Sequence, residues 1–139
     1  MNSMVLEMPA MISPPSGVTI HQEIMQKRIK TVYDELFASL KQKYNVPDEQ
    51  PVFAFLRQHS QLIPLLQEGR EAVAVFFGDE TPVLLRLRHD PETGMVYLLA
   101  WIQSKHAATE AVNRWLAFGD AWLLEQMEML GDSLQFSLG

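Results

Sequence analysis

The sequence contains no cysteine. That removes disulfides, thiol nucleophiles, thioether-bound haem and cysteine-ligated zinc or iron–sulfur centres together, and it makes the cytoplasm the expected setting. No stretch approaches about 18 uninterrupted apolar residues, so no membrane span is expected. The opening MNSMVLEMPAMISPPSG has no basic segment leading into an apolar run and does not read as a signal peptide.

A basic excess is missing too. Eleven Lys and Arg stand against 17 Asp and Glu, for a formal charge of −6, and acidic residues outnumber basic ones within residues 1–50, 51–104 and 105–139 alike. Long-range electrostatics therefore disfavour a nucleic-acid backbone or an anionic membrane as the main partner. The chain also lacks a GxGxxG turn, a Walker loop, a GxSxG elbow and an HExxH helix. No cofactor and no metal are expected from it.

What is present is material for a core. Hydrophobic residues make up 47% of 139, including three Trp and seven Phe. That length suits one domain, here expected over residues 19–139 behind an arm at 1–18 that is punctuated by Pro9, Pro14, Pro15 and Gly17.

Thr19 followed by Gln22 forms a capping-box pattern, and Met25, Ile29, Val32, Leu36 and Leu40 then recur every three or four residues. Two readings of this stripe stand: packing against the body of the domain, or a helical contact with a second copy. Pro51 suits the first turn of a short helix through Gln58. Beyond it, Leu62, Leu65, Leu66, Gly69, Val73, Phe76 and Phe77 fall on one helical face, with Ser60 as the cap and Gly78 as the stop. AVAVFF, which taken alone has the composition of a strand, is thereby assigned to the end of a helix.

The alternation in VLLRLRH, the DPETG turn and MVYLLAWI predict an antiparallel hairpin. Residues 107–130 carry two adjoining apolar stripes, Ala111, Trp115, Phe118, Trp122 and Met129 beside Val112, Leu116, Leu123, Met127 and Leu130, and predict one long helix ending at Gly131. DSLQFSL then alternates as a third strand. The expected fold is α+β in the order α-α-α-β-β-α-β, with a mainly antiparallel three-stranded sheet under helices. The strand order expected is 2-1-3, with the last strand beside the first.

FLRQH followed by LIPLL, the FG that ends the third helix, and AWLLEQ with GDSLQFSL resemble a recurrent pattern in small bacterial proteins of unknown activity. The resemblance covers residues 55–138. It implies a helix through Phe77 and a helix-to-strand connection at the end of the chain, and carries no functional residues with it.

Chemistry is thinly represented. His21, His59, His89 and His106 are scattered, and each has a plain structural reading as a helix start, turn or cap. His89 with Asp90, near Arg86 and Arg88, is the arrangement from which a small-molecule enzyme would be built. Asp48/Glu49, Asp79/Glu80 and Glu125/Glu128 read as caps, linkers and solvated faces. The leading expectation is a protein-interaction or regulatory module that self-associates as a homo-oligomer, a dimer being the simplest. Its contacts would come from Met25, Ile29 and Leu36 or from Trp115 and Trp122, with Arg86 and Arg88 orienting an acidic protein partner.

Overall fold

The computed structural model of the protein describes the backbone of residues 16–139 and the side chains from residue 22 onward. Residues 1–15 of the expected arm, and the side chains of Thr19 and His21, lie outside the described residues. The fold is α+β in the expected element order: α1 Ser16–Lys43, α2 Glu49–Gln58, α3 Leu62–Phe77, β1 Val83–His89, β2 Val96–Ile102, α4 Ala108–Phe118 running through a π turn at Gly119–Leu123 into α5 Leu124–Leu130, and β3 Leu134–Leu138. Helix α1 starts three residues earlier than the Thr19 pattern suggests.

The chain divides into two compact units, Met1–Glu35 and Leu36–Gly139. In the first, α1 is exposed at every position from Gln22 to Val32. The second holds the sheet and the buried core.

Within the second unit, Phe37, Leu40 and Tyr44 are buried, and Phe37 stacks on Phe53 of α2 at 4.3 Å between ring centres. Helix α3 buries Leu62, Leu65, Leu66, Gly69, Val73 and Phe77, the face that the spacing predicts, while Val75 points to solvent. AVAVFF is therefore helical: the apolar stripe of a sixteen-residue helix at 3.6 spacing outweighs the strand propensity of four side chains. The cap is Gln61 and makes no side-chain bond, so Ser60 does not serve as expected. Its carbonyl instead accepts the Ile63 N–H at 3.1 Å in the preceding turn.

Strands β1 and β2 pair antiparallel in the register Leu85↔Ala100, and β3 pairs with β2 in parallel, Leu98↔Leu134 and Ala100↔Phe136. The sheet is mixed and its order is β1-β2-β3. This corrects the 2-1-3 expectation, and the cause is local. The outer edge of β1 is already taken: the Asn45 N–H donates to the Val83 carbonyl at 2.9 Å, and the Leu85 N–H donates to the Asn45 carbonyl at 2.8 Å. The end of α1 thus satisfies the edge that β3 was expected to fill, and β3 goes to the other side of β2.

One sheet face carries Val83, Leu85, Leu98, Ala100, Ile102, Leu134 and Phe136, all buried. Above it lies an aromatic cluster centred on Phe118, whose ring sits 5.7 Å from those of Trp115 and Trp122 and 5.8 Å from that of Phe136. The expected single helix over this face is interrupted by the π turn, where the Leu124 N–H reaches back five residues to the Gly119 carbonyl. The extra residue rotates the buried stripe by one position: Leu130 is 3% exposed and Met129 is 62% exposed, the reverse of what an uninterrupted helix places inward.

Candidate interaction surfaces

The first surface is the N-terminal half of α1. Met25, Ile29 and Val32 are 44%, 52% and 54% exposed and line one side of the helix, with Ile24 beside them. Leu36, at the next step of the same stripe, is half-buried. The sequence offered two readings of this stripe, and the described residues divide between them: Phe37 and Leu40 are core, while Met25, Ile29 and Val32 meet solvent. Arg28 and Glu35 flank the exposed stripe, and neither makes an ion pair among the described residues.

The second surface is the open face of the sheet. Arg86 pairs across with Leu99, Arg88 with Tyr97, Leu84 with Trp101, and Leu99 in turn with Gln135 of β3. Arg86, Arg88, Trp101 and Gln135 are exposed, and among the described residues the two arginines have no ion-pair partner. His89 belongs to the opposite face of β1, paired with Val96. The strand's alternation therefore separates the imidazole from both guanidinium groups, while Asp90, the next residue, stays near enough to His89 to feel its charge.

Asp90 has a structural occupation. Its carboxylate accepts the Glu92 N–H at 2.9 Å while its own N–H bonds to Met95 at 2.8 Å, which closes the hairpin turn with Gly94 at φ 74°. The backbone bond from Glu92, with help from Thr93 and His89, holds the carboxyl below its usual range. A cleft of about 550 Å³ lies at this end of the sheet, bounded by Asp90 and Met95 of the turn, Trp115 and Met127 of the overlying helix, and Asp132 and Leu134 at the start of β3. Trp115 is half-buried in its wall. Trp122, grouped with it as a contact residue from the sequence, is a core residue: its ring meets Phe118 and Phe136, and its indole N–H donates to Glu68.

Two polar networks escaped the sequence reading. Arg70 donates to the carbonyls of Lys43, Asp79 and Thr81 at 2.9, 2.9 and 3.0 Å, tying the end of α1 and the α3–β1 connection to α3. Arg114 and His106 close the C-terminus of α3: Arg114 donates to the Phe76 carbonyl at 2.8 Å, and the His106 Nε2–H donates to the Phe77 carbonyl at 3.1 Å. Thr81 adds a hydroxyl bond to the same Phe77 carbonyl at 2.8 Å. The Arg114 guanidinium suits the negative end of the helix dipole. Glu110 accepts from Nε and Nη2 of Arg114, and that pairing, more than the nearby His106, lowers its carboxyl's affinity for protons. A signal for both arginines does exist in the sequence. Arg70 lies four residues after Leu66 and three before Val73, and Arg114 lies three after Ala111 and four before Phe118, so each interrupts an apolar stripe at a position that must face inward.

Among the described residues no three His, Asp or Glu side chains are grouped to hold a metal, and no helix is long and apolar enough to cross a membrane. Comparison with family models, curated proteins and solved structures finds no match to this chain.

Proposed function

We propose that the protein is a non-catalytic interaction module that self-associates through the N-terminal half of α1. The observation that supports this most is the exposure of Met25, Ile29 and Val32 together on one stripe of a 28-residue helix. Single exposed apolar residues are ordinary, whereas three on consecutive turns are a costly surface to leave wet. An isolated helix gains most of its stability in water by burying such a face. A second copy carries the same stripe, and a two-fold contact makes one patch serve as both halves of the interface. The reading takes the protein to work in the cytoplasm, in keeping with a chain that has no thiol to oxidise.

Sedimentation equilibrium across about a hundredfold range of concentration tests it, because a small interface dissociates by mass action on dilution. The wild-type chain sediments as a dimer at the upper end. Ile29→Glu with Val32→Glu sediments as a folded monomer whose thermal transition no longer shifts with concentration, since both positions are exposed. A wild-type monomer throughout the range refutes the proposal.

The open sheet face supports a second, weaker contact, with an acidic protein segment. Arg86 and Arg88 point the same way with no ion-pair partner among the described residues, beside Tyr97 and Trp101, and Arg with aromatics is the usual composition of a binding hot spot. A glutamate-rich peptide binds with an affinity that falls as salt rises, and Arg86→Glu with Arg88→Glu abolishes it. Equal binding by wild type and variant removes this surface.

A further inference from the structure

We infer that two copies of the chain pair along α1 in antiparallel orientation, Ile29 of each facing Val32 of the other and Arg28 of each facing Glu35 of the other. This rests on the self-association proposed above and specifies its geometry.

The steps from Met25 to Ile29 to Val32 are four and three residues, the spacing at which the seam of a two-stranded coiled coil repeats. With Ile29 as an a position and Met25 and Val32 as d positions, the flanking e positions are Gln26 and Tyr33, and the flanking g positions are Arg28 and Glu35. The two orientations now differ in what the flanks meet. In a parallel pair each g position opposes an e position of the partner, so Arg28 faces a tyrosine and gains no counter-charge. In an antiparallel pair each g position opposes a g position, so Arg28 faces Glu35, and the two-fold axis makes that contact twice.

The structure leaves both groups available. Arg28 and Glu35 are exposed and make no ion pair among the described residues, and neither has a charged residue three or four positions away on its own helix. The antiparallel arrangement also sets the helix dipoles head to tail. Exposed ion pairs contribute little affinity, so burial of Ile29, Val32 and Met25 holds the dimer, and the charges select its orientation. In the same arrangement the a–d layer at the centre joins two β-branched side chains, Ile29 and Val32, in each direction.

The absence of native cysteine makes the test clean. Ile29→Cys and Val32→Cys chains are prepared separately, mixed, oxidised gently and analysed by mass spectrometry; cysteine keeps the seam small and apolar. The expected product is the mixed 29–32 disulfide, with little 29–29 or 32–32 product from either chain alone. Predominant 29–29 and 32–32 products overturn the antiparallel orientation while leaving self-association standing. No disulfide from any combination, with a monomeric wild-type chain, overturns both. Charge exchange supplies an independent reading. Arg28→Glu weakens the dimer about tenfold by setting like charges together, and adding Glu35→Arg restores it. Loss that the second substitution does not restore overturns the Arg28–Glu35 pairing.

Discussion

Gly69 of α3 sits so close beneath Phe136 of β3 that a β-carbon placed on it stands 2.6 Å from Cζ of that ring and 2.9 Å from Cη2 of Trp122. The glycine lets two large aromatics close over the helix backbone. Ala at an interior helix position is ordinarily favourable by about 1 kcal/mol over Gly. Here overpacking opposes it, with a typical cost of about 1–3 kcal/mol. Gly69→Ala therefore lowers stability in urea unfolding, against the propensity scale. Combining it with Phe136→Leu costs less than the sum of the two single changes, because the second makes the room that the first needs.

Tyr44 predicts a loss of stability at alkaline pH. Its hydroxyl is buried and donates to the Leu66 carbonyl at 2.6 Å; burial raises its pKa far above that of a free phenol, and Arg70 offsets only part of this. The unfolded chain releases this proton near pH 10 while the folded chain keeps it. A raised folded pKa means that stability is intact below pH 10 and falls as pH climbs above it, by about 1.4 kcal/mol per pH unit. Absorbance titration of the three tyrosines then shows one that ionises only with unfolding. Tyr44→Phe loses stability at neutral pH, having given up the buried hydrogen bond to the Leu66 carbonyl, and has the shallower alkaline slope.

Arg70 is the second point at which α3 is fixed to its surroundings. Three carbonyls from two connections converge on one planar group, and a lysine offers neither the fork nor the reach to satisfy all three. Arg70→Met keeps the stem and leaves the carbonyls without their donor, at a cost of about 2–3 kcal/mol. Arg70→Lys recovers less than half of that. Both are read from urea midpoints, with faster amide exchange at Leu85 reporting the loosened Asn45 edge.

Acid should loosen the hairpin and the end of α3 together. Asp90 and Glu110 both hold their carboxyls below the usual range, the first through backbone donors in the turn and the second through Arg114. A depressed folded pKa means that the stabilisation is present above about pH 4 and is lost as pH falls through the lower folded values. Stability measured between neutral pH and the acid range therefore declines only at its acidic end. Glu110→Gln flattens that decline, and so does replacement of Asp90 by Ala. An unchanged acid limb in both variants shows that other carboxyls govern it.

What the sequence made legible follows from range. The helical assignment of AVAVFF came from neighbours within sixteen residues, and the hairpin came from alternation and a turn within twenty; both are local periodicities. The buried side of α1 beyond Leu36 was legible as apolar spacing, but nothing local separated Phe37, which has Phe53 to stack on, from Ile29, which has no such neighbour. Strand order turned on Asn45, whose side chain carries no strand signal and whose contribution to the edge of β1 is made through its backbone. Trp115 and Trp122 shared one stripe in sequence, yet Trp122 is buried against Phe136 and bonds Glu68, whereas Trp115 meets Phe118 on one side and a cleft on the other. Arg70 and Arg114 were readable in principle, as charges placed where a stripe demands apolar groups.

The π turn supplies a final prediction, because it makes a normally disruptive change harmless. Phe118 and Leu130 are both buried and stand twelve positions apart. At 3.6 residues per turn, twelve steps carry Leu130 about 120° away from Phe118, off the core face, whereas eleven carry it only about 20° away. The π turn absorbs the surplus residue. Deleting exposed Asp120 should therefore convert the turn to regular α-helix and leave Ala111, Phe118 and Leu130 on one face. The deletion variant is expected to fold with a thermal midpoint equal to or above that of the wild type, with amide shifts confined to residues near the turn. Deleting exposed Glu71 from α3, which has no surplus to absorb, rotates Val73 and Phe77 by about 100° and unfolds the domain. If the Asp120 deletion is as damaging as the Glu71 deletion, the extra residue does more than correct the register, and the π geometry itself is required by the surface it shapes.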